Sequence, residues 1–265
     1  MPSPARALVL AIANQKGGVG KTTTAINLAA ALAARGLATL LIDLDPQGNA
    51  STGLGFDRAA SFVGTYELLL GDRSPLDAIR PTAVAELSLI PADTDLVGAE
   101  IELVEAEDRA QRLAKSLAQL PLGRFRVLLI DCPPSLGLLN LNGLVAADAV
   151  LVPLQCEFFA LEGISQLLRT IDRVKGSLNP RLRLAGIVLT MYDRRNNLSD
   201  LVANDARSFF GDKVYATLIP RNIRVSEAPS HGKPVQTYDP RSAGALAYAQ
   251  LAEELIRREN LIPEP

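Results

Sequence analysis

Tryptophan is absent from the 265 residues, histidine occurs once and cysteine twice. Cys132 and Cys156 lie far apart and neither belongs to a CxxC pair, so no disulfide framework staples the chain. Each reads as a small buried apolar residue in a protein of a reducing compartment. The lone histidine, His231, falls in a stretch of loop composition and receives no catalytic task. Neither sign of charge is in excess: 27 Lys and Arg face 29 Asp and Glu, a net −2. Global electrostatics therefore do not mark a nucleic-acid binder, and any DNA contact has to come from a local patch. No apolar run approaches the ~20 residues of a membrane span. The first apolar run follows Arg6 and passes straight into a glycine loop without a small-residue cleavage site, which suits a buried strand rather than a signal peptide. Repeats, low-complexity tracts and flexible linkers are missing too. The expectation is a cytoplasmic protein without a membrane partner.

What is present is a large core. Hydrophobic residues make up 48% of the chain, and apolar runs alternate with longer helical patterns. Strands are predicted at 7–13, 37–43, 87–93, 125–131, 149–154, 182–190 and 214–220. Helices are predicted at 22–35, 65–70, 96–120, 161–178, 198–211 and 243–258, with 45–55 and 221–235 as loops. The alternation implies one α/β domain over 1–265, with its core at about 7–257. It is a doubly wound, mostly parallel sheet with helices on both faces and ligands at the carboxyl ends of the strands.

The stretch "NQKGGVGKTTT" (14–24) follows the first predicted strand and opens the first predicted helix. Gly17, Gly18 and Gly20, with Val19 between them, let backbone N–H groups turn inward on an anion. The helix N-terminus, with Thr22 and Thr23, adds its dipole. Lys21 can reach β- and γ-phosphates, and the Thr22 hydroxyl suits Mg²⁺. The loop departs from the usual phosphate-binding formula: Gln15 stands where its first glycine belongs, and a second lysine, Lys16, sits beside the phosphates. Hydrolysis also requires a carboxylate near the metal and a group that orients water. "LLIDLDPQG" supplies Asp43 and Asp45, and "VLLIDCPPS" supplies Asp131, each at a strand end. Asp131 is assigned to Mg²⁺ and Asp45 to the attacking water.

"KGGVGKTTT", "LLIDLDPQGNAS", "VLLIDCPPSLG", "VPLQCEFFALEG", "VLTMYDRRNNLS" and "IPRNIRVSEAPSHGKPV" together resemble the ParA/Soj family of chromosome-partitioning ATPases, from about Leu8 to Leu255. That family belongs to the deviant Walker A group of P-loop NTPases, with MinD and the nitrogenase iron protein. The resemblance implies ATP and Mg²⁺ as cofactors and an ATP-bound homodimer. In it Lys16 acts as the signature lysine that reaches the partner's nucleotide. It places Asp45 at the water-positioning aspartate, Asp131 at the Walker B aspartate and Asp43 close behind the metal. "DPQGNAS" and "CPPSLG" correspond to two switch segments. Adenine contacts are expected from Thr190–Met191 and from Pro220 to Asn222.

The resemblance further implies non-specific double-stranded DNA binding in the ATP state, and so a nucleoid-associated protein. Arg195 and Arg224 match the family's DNA-binding positions, with Arg194 and Arg221 beside them and Lys233 near. Two such patches paired in a dimer would raise avidity, because non-specific binding consists of phosphate contacts. A ParB-like centromere-binding protein with a basic N-terminal segment is the implied partner and stimulates hydrolysis. The few residues before the first strand leave out an N-terminal operator-binding module. A MinD-like membrane cycle, the nearest alternative, needs a basic amphipathic C-terminal helix, whereas "LAEELIRRENLIPEP" mixes both signs. An iron–sulfur reductase would need Cys132 and Cys156 at a subunit interface.

Overall fold

The computed structural model describes residues 6–59, 61–157 and 160–261. The strands are β1 (Leu8–Ile12), β2 (Thr39–Asp43), β3 (Arg80–Pro81), β4 (Leu87–Ile90), β5 (Val127–Asp131), β6 (Ala149–Gln155), β7 (Arg183–Tyr192) and β8 (Val214–Pro220). The helices are α1 (Lys21–Ala33), α2 (Asn49–Gly53), α3 (Thr65–Leu70), α4 (Pro75–Ala78), α5 (Leu96–Glu102), α6 (Arg112–Leu117), α7 (Leu138–Ala146), α8 (Ala160–Ser177), α9 (Asn197–Phe210), α10 (Ile223–Glu227), α11 (Val235–Tyr238) and α12 (Ala243–Glu259).

One sheet runs β3-β4-β2-β5-β1-β6-β7-β8, and only the short edge pair β3–β4 is antiparallel. The continuous apolar strands follow from burial on both faces. Leu10, Ile12, Leu41, Leu129 and Leu151 pack under α1 and α12, while their neighbours Val9, Ala11, Leu40, Leu128 and Val150 pack against the opposite helical layer. The first strand lies at the middle of the sheet, between β5 and β6. Strand order reverses around it, and the crevice this creates at the carboxyl ends carries the glycine loop.

Three expectations need correction. The span 96–120 is not one helix: α5 ends at Glu102, a 3₁₀ turn covers Arg109–Gln111, and α6 begins at Arg112. Leu96, Ala99 and Leu103 line one buried face, and an unbroken helix would carry Leu113 about 80° away from it. The break restores Leu113 to the core, and the Arg109 guanidinium donates to the Val104 carbonyl freed there. The predicted loop 45–55 contains α2, entered through left-handed Gly48. The predicted loop 221–235 contains α10 and a 3₁₀ turn at Ala228–His231, because the Asn222 side chain accepts the Val225 N–H and caps α10. Within the resemblance, Phe158 and Phe159 lie outside the described residues, as does the tail from residue 262.

The two remade loops touch through bare backbone. Gly55 (φ +78°) and Gly232 (φ +63°) are both left-handed, and a Cβ on Gly232 would stand 2.7 Å from the Gly55 Cα. Gly232→Ala combines left-handed strain with a backbone clash. It is expected to cost roughly 2–5 kcal/mol, read as a lower urea midpoint at unchanged slope.

Candidate active site

The glycine loop is built as an anion cradle. Gly18 and Gly20 have φ of +75° and +87°. Gly20 enters α1 without any side-chain cap, so the first N–H groups of the helix are left without a side-chain acceptor. Asn14 sets the entry to the loop: buried, it donates to the Pro153 carbonyl at 2.7 Å and accepts the Lys16 N–H at 3.0 Å. The Gln15 side-chain nitrogen is buried without a partner. Lys21 is 7% exposed and donates to the Lys16 carbonyl at 3.1 Å. Burial lowers its pKa, opposed by Asp131, Asp45 and Cys132.

Parallel register puts Asp43 directly beside Asp131. Both are fully buried, but they are differently employed. Asp43 accepts the Ser51 N–H at 2.8 Å, the Ser51 hydroxyl at 2.7 Å and the Asp45 N–H at 3.2 Å. Its carboxyl, raised to about 6 chiefly by burial and lowered in part by the Ser51 bonds, ties β2 to α2. Asp131 has no hydrogen-bond partner on either oxygen. Burial first, and then the Asp43 charge, push its pKa well above the ordinary range; the nearby Thr22 hydroxyl opposes this without closing a bond. An orphaned carboxylate near a threonine hydroxyl and a lysine is what a hard cation with phosphate ligands requires. No cluster of three His, Cys, Asp or Glu side chains suited to a metal occurs among the described residues. Asp45 is 8% exposed, and its carboxyl accepts the Gln47 N–H at 3.0 Å, holding the turn before α2.

Lys16 projects from the loop, and its ammonium meets Glu157 at 3.3 Å with both side chains nearly half exposed. Lys21 therefore lies inside the loop, whereas Lys16 faces outward. The suggested adenine residues converge beside the loop. Thr190 donates to the Val19 carbonyl at 2.9 Å, Met191 follows at a left-handed φ of +53°, and Tyr192 pairs with Pro220. Asn222 accepts the Val225 N–H with its side-chain oxygen and caps α10.

Arg194, Arg195 and Arg221 line one open cleft of about 560 Å³ with Tyr192 and Pro220. Asp193 holds Arg195 through bonds of 3.0 and 2.9 Å, and its own carboxyl is pulled down to about 2 by Arg195 and then Arg221. Arg224 lies on α10, paired with Glu227 at 2.9 Å and Asp239 at 3.4 Å. A phosphate reaching Arg195 or Arg224 competes with these carboxylates. Lys233 follows Gly232 on the segment bearing the glycine contact.

An AAA domain family model matches residues 7–184. The chain is 61% identical to the chromosome partitioning protein ParA of Caulobacter vibrioides, over 95% of this chain and 94% of that protein. The chain belongs to the ParA/Soj family. It is also 51% identical to the Bacillus subtilis sporulation initiation inhibitor protein Soj, over 93% of this chain and 97% of that one. Among solved structures, one described as cobyrinic acid a,c-diamide synthase from Mycobacterium smegmatis with bound ADP and magnesium superposes with a TM-score of 0.85 at 43% identity, over 96% of both chains.

Within this ParA/Soj-family site, four side chains carry weight that sequence reasoning did not assign. Ser51 satisfies Asp43, and Thr65 donates to the carbonyls of Asp43 and Pro91. Asn14 pins the loop, and Glu157 holds Lys16. Only Asn14 had a local signal, a polar residue closing an apolar strand just before the glycines.

Proposed function

We infer that the chain is a Mg²⁺-dependent ATPase that partitions DNA, assembling as an ATP-bound homodimer that holds duplex DNA without sequence preference. The observation that carries this is the unpartnered, buried Asp131 carboxyl beside Lys21, under an uncapped helix that opens from left-handed glycines. Loop N–H groups and Lys21 hold the phosphates of ATP, Lys21 leaving the Lys16 carbonyl to do so. Thr22 and Asp131 would hold Mg²⁺, with Asp43 behind them; the metal, when bound, neutralises charge on the phosphoryl oxygens. Asp45 orients the attacking water. Lys16 gives up Glu157 and serves the nucleotide of a second copy, so the dimer exists only around ATP.

The cleft of Arg194, Arg195 and Arg221, with Arg224 on α10, supplies DNA-phosphate contacts, doubled in the dimer. Hydrolysis, stimulated by a ParB-like partner, breaks the dimer and frees the DNA, moving the partner–centromere complex across the nucleoid. A membrane cycle is disfavoured because Leu251, Ala252 and Leu255 of the C-terminal helix are already in the core, leaving Leu246 as its one largely exposed leucine. No described helix is long and apolar enough to cross a membrane.

Fluorescence anisotropy with an arbitrary 30-base-pair duplex tests the reading. Binding is expected with a slowly hydrolysed ATP analogue and not with ADP, and affinity should fall steeply with salt. Arg195→Ala and Arg224→Ala should each weaken DNA by at least about tenfold, since each removes two contacts per dimer, while dimerisation persists. Equal DNA affinity in ADP and ATP would sink the switch.

A further inference from the structure

The turn that carries Asp45 is held from two sides. From within, the Asp45 N–H donates to Asp43 at 3.2 Å, the Asp45 carboxyl accepts the Gln47 N–H at 3.0 Å, and the Gly48 N–H donates to the Asp45 carbonyl at 2.8 Å. On the outer edge stand the carbonyls of Pro46 and Gln47. The Arg58 guanidinium reaches back and takes both, donating to Gln47 at 2.6 Å and to Pro46 at 3.4 Å. It lies against Gly48 so closely that a Cβ there would run into it. The Arg58 Nε–H is buried without an acceptor, and the residue forms no ion pair among the described residues. An arginine lying loose on the surface would turn that N–H to water. This side chain is seated on the turn.

We propose that Arg58 is a positioning residue for hydrolysis, clamping the outer edge of the turn so that the Asp45 carboxyl stays where the attacking water needs it. The inference rests on the water-orienting reading of Asp45. Without the clamp the turn keeps its inner bonds, but these tie Asp45 only to near neighbours in the chain and fix the turn from one side. The Pro46 and Gln47 carbonyls then bond to mobile water, and the carboxyl gains play. A misplacement of about 1 Å costs an oriented reaction on the order of a hundredfold. Nucleotide binding is a separate matter, because the bonds of Arg58 run to the turn and, among the described residues, none runs to the glycine loop. The residue type follows from the task. A guanidinium presents a rigid planar fork that bridges two carbonyls, whereas an ammonium is a single point of contact on a flexible stem.

Single-turnover hydrolysis of radiolabelled ATP at saturating Mg²⁺, run on the full chain, tests the proposal through a double-mutant cycle. Arg58→Ala should slow hydrolysis by about 10–100-fold, with nucleotide affinity within about threefold of wild type. Arg58→Lys, which can still reach one carbonyl, should recover part of the loss. In an Asp45→Ala background the further change to Arg58→Ala should cost less than about threefold, because the residue acts through Asp45. Hydrogen exchange of the nucleotide-free protein gives a readout apart from turnover: the Gln47 and Gly48 amides should exchange about tenfold faster in Arg58→Ala, with the central strands unchanged. Circular dichroism confirms that each variant is folded. Independent, additive losses from Arg58→Ala and Asp45→Ala overturn the proposal, as does nucleotide affinity that falls in step with turnover, which would make Arg58 a nucleotide ligand. If Asp45→Ala slows hydrolysis and Arg58→Ala does not, the clamp alone falls. Wild-type turnover in Asp45→Ala sinks the water-orienting reading and the proposal with it.

Discussion

Lys16→Ala is expected to lower ATP turnover by about 10³–10⁵-fold, the range for a cation supplied in trans to phosphoryl transfer, while nucleotide affinity stays within a few-fold of wild type. The division follows from geometry. Lys21 is 7% exposed and lies inside the cradle, so on the proposed reading ground-state phosphate binding falls to it. Lys16 is nearly half exposed, and its ammonium rests on Glu157. Such an open pair holds it by about 1 kcal/mol or less, which an incoming triphosphate easily exceeds. Loss of Lys16 thus leaves a monomer that binds nucleotide and a dimer that either fails to form or fails to hydrolyse. Single-turnover hydrolysis, fluorescent-nucleotide titration and light scattering separate these steps. Turnover within threefold of wild type would remove Lys16 from the reaction.

Asp131→Asn should abolish Mg²⁺-dependent hydrolysis, by at least about a hundredfold, and yet make the nucleotide-free protein more stable by about 1–4 kcal/mol near neutral pH. Wild type buries a carboxyl with no hydrogen bond on either oxygen, next to a second buried aspartate. The amide keeps the shape and discards the charge. The pH dependence has a definite sign. The folded pKa of Asp131 lies well above 3.8, so between these values the folded chain retains a proton that the unfolded chain has released. Stability of the wild type therefore falls as pH rises through that interval. The gap between variant and wild type should be small near pH 4 and widen upward, as thermal melts of both would reveal. A gap independent of pH would mean that Asp131 is not the strained group. Saturating Mg²⁺–ATP should close it, because the metal supplies the missing charge to wild type alone.

Much of this was legible in the chain itself. Strands buried on both faces announce themselves as apolar runs, and aspartates that close such runs can only lie at the ligand-binding edge of a parallel sheet. The glycine loop was equally plain, because left-handed φ at Gly18 and Gly20 leaves few other residues possible. What escaped depends on partners remote in sequence. That Ser51 and the Asp45 N–H satisfy the Asp43 carboxyl was not readable from the chain. The uninterrupted helical pattern over 96–120 hid a break enforced only by where Leu103 and Leu113 meet the core. Arg195 and Arg224 were visible as basic loop residues; their carboxylate companions Asp193, Glu227 and Asp239 were not.

The meeting of Gly55 and Gly232 has a mechanical side. Side chains cushion most contacts between segments, since a rotamer change absorbs an ångström before any backbone has to move. Here nothing intervenes: a Cα of one loop lies where the other has no room even for a methyl group. A displacement of the Gly55 end of α2 would therefore bear directly on the stretch that joins α10 to α11. The gain of that linkage is fixed by main-chain geometry, so point substitution can break it but cannot retune it.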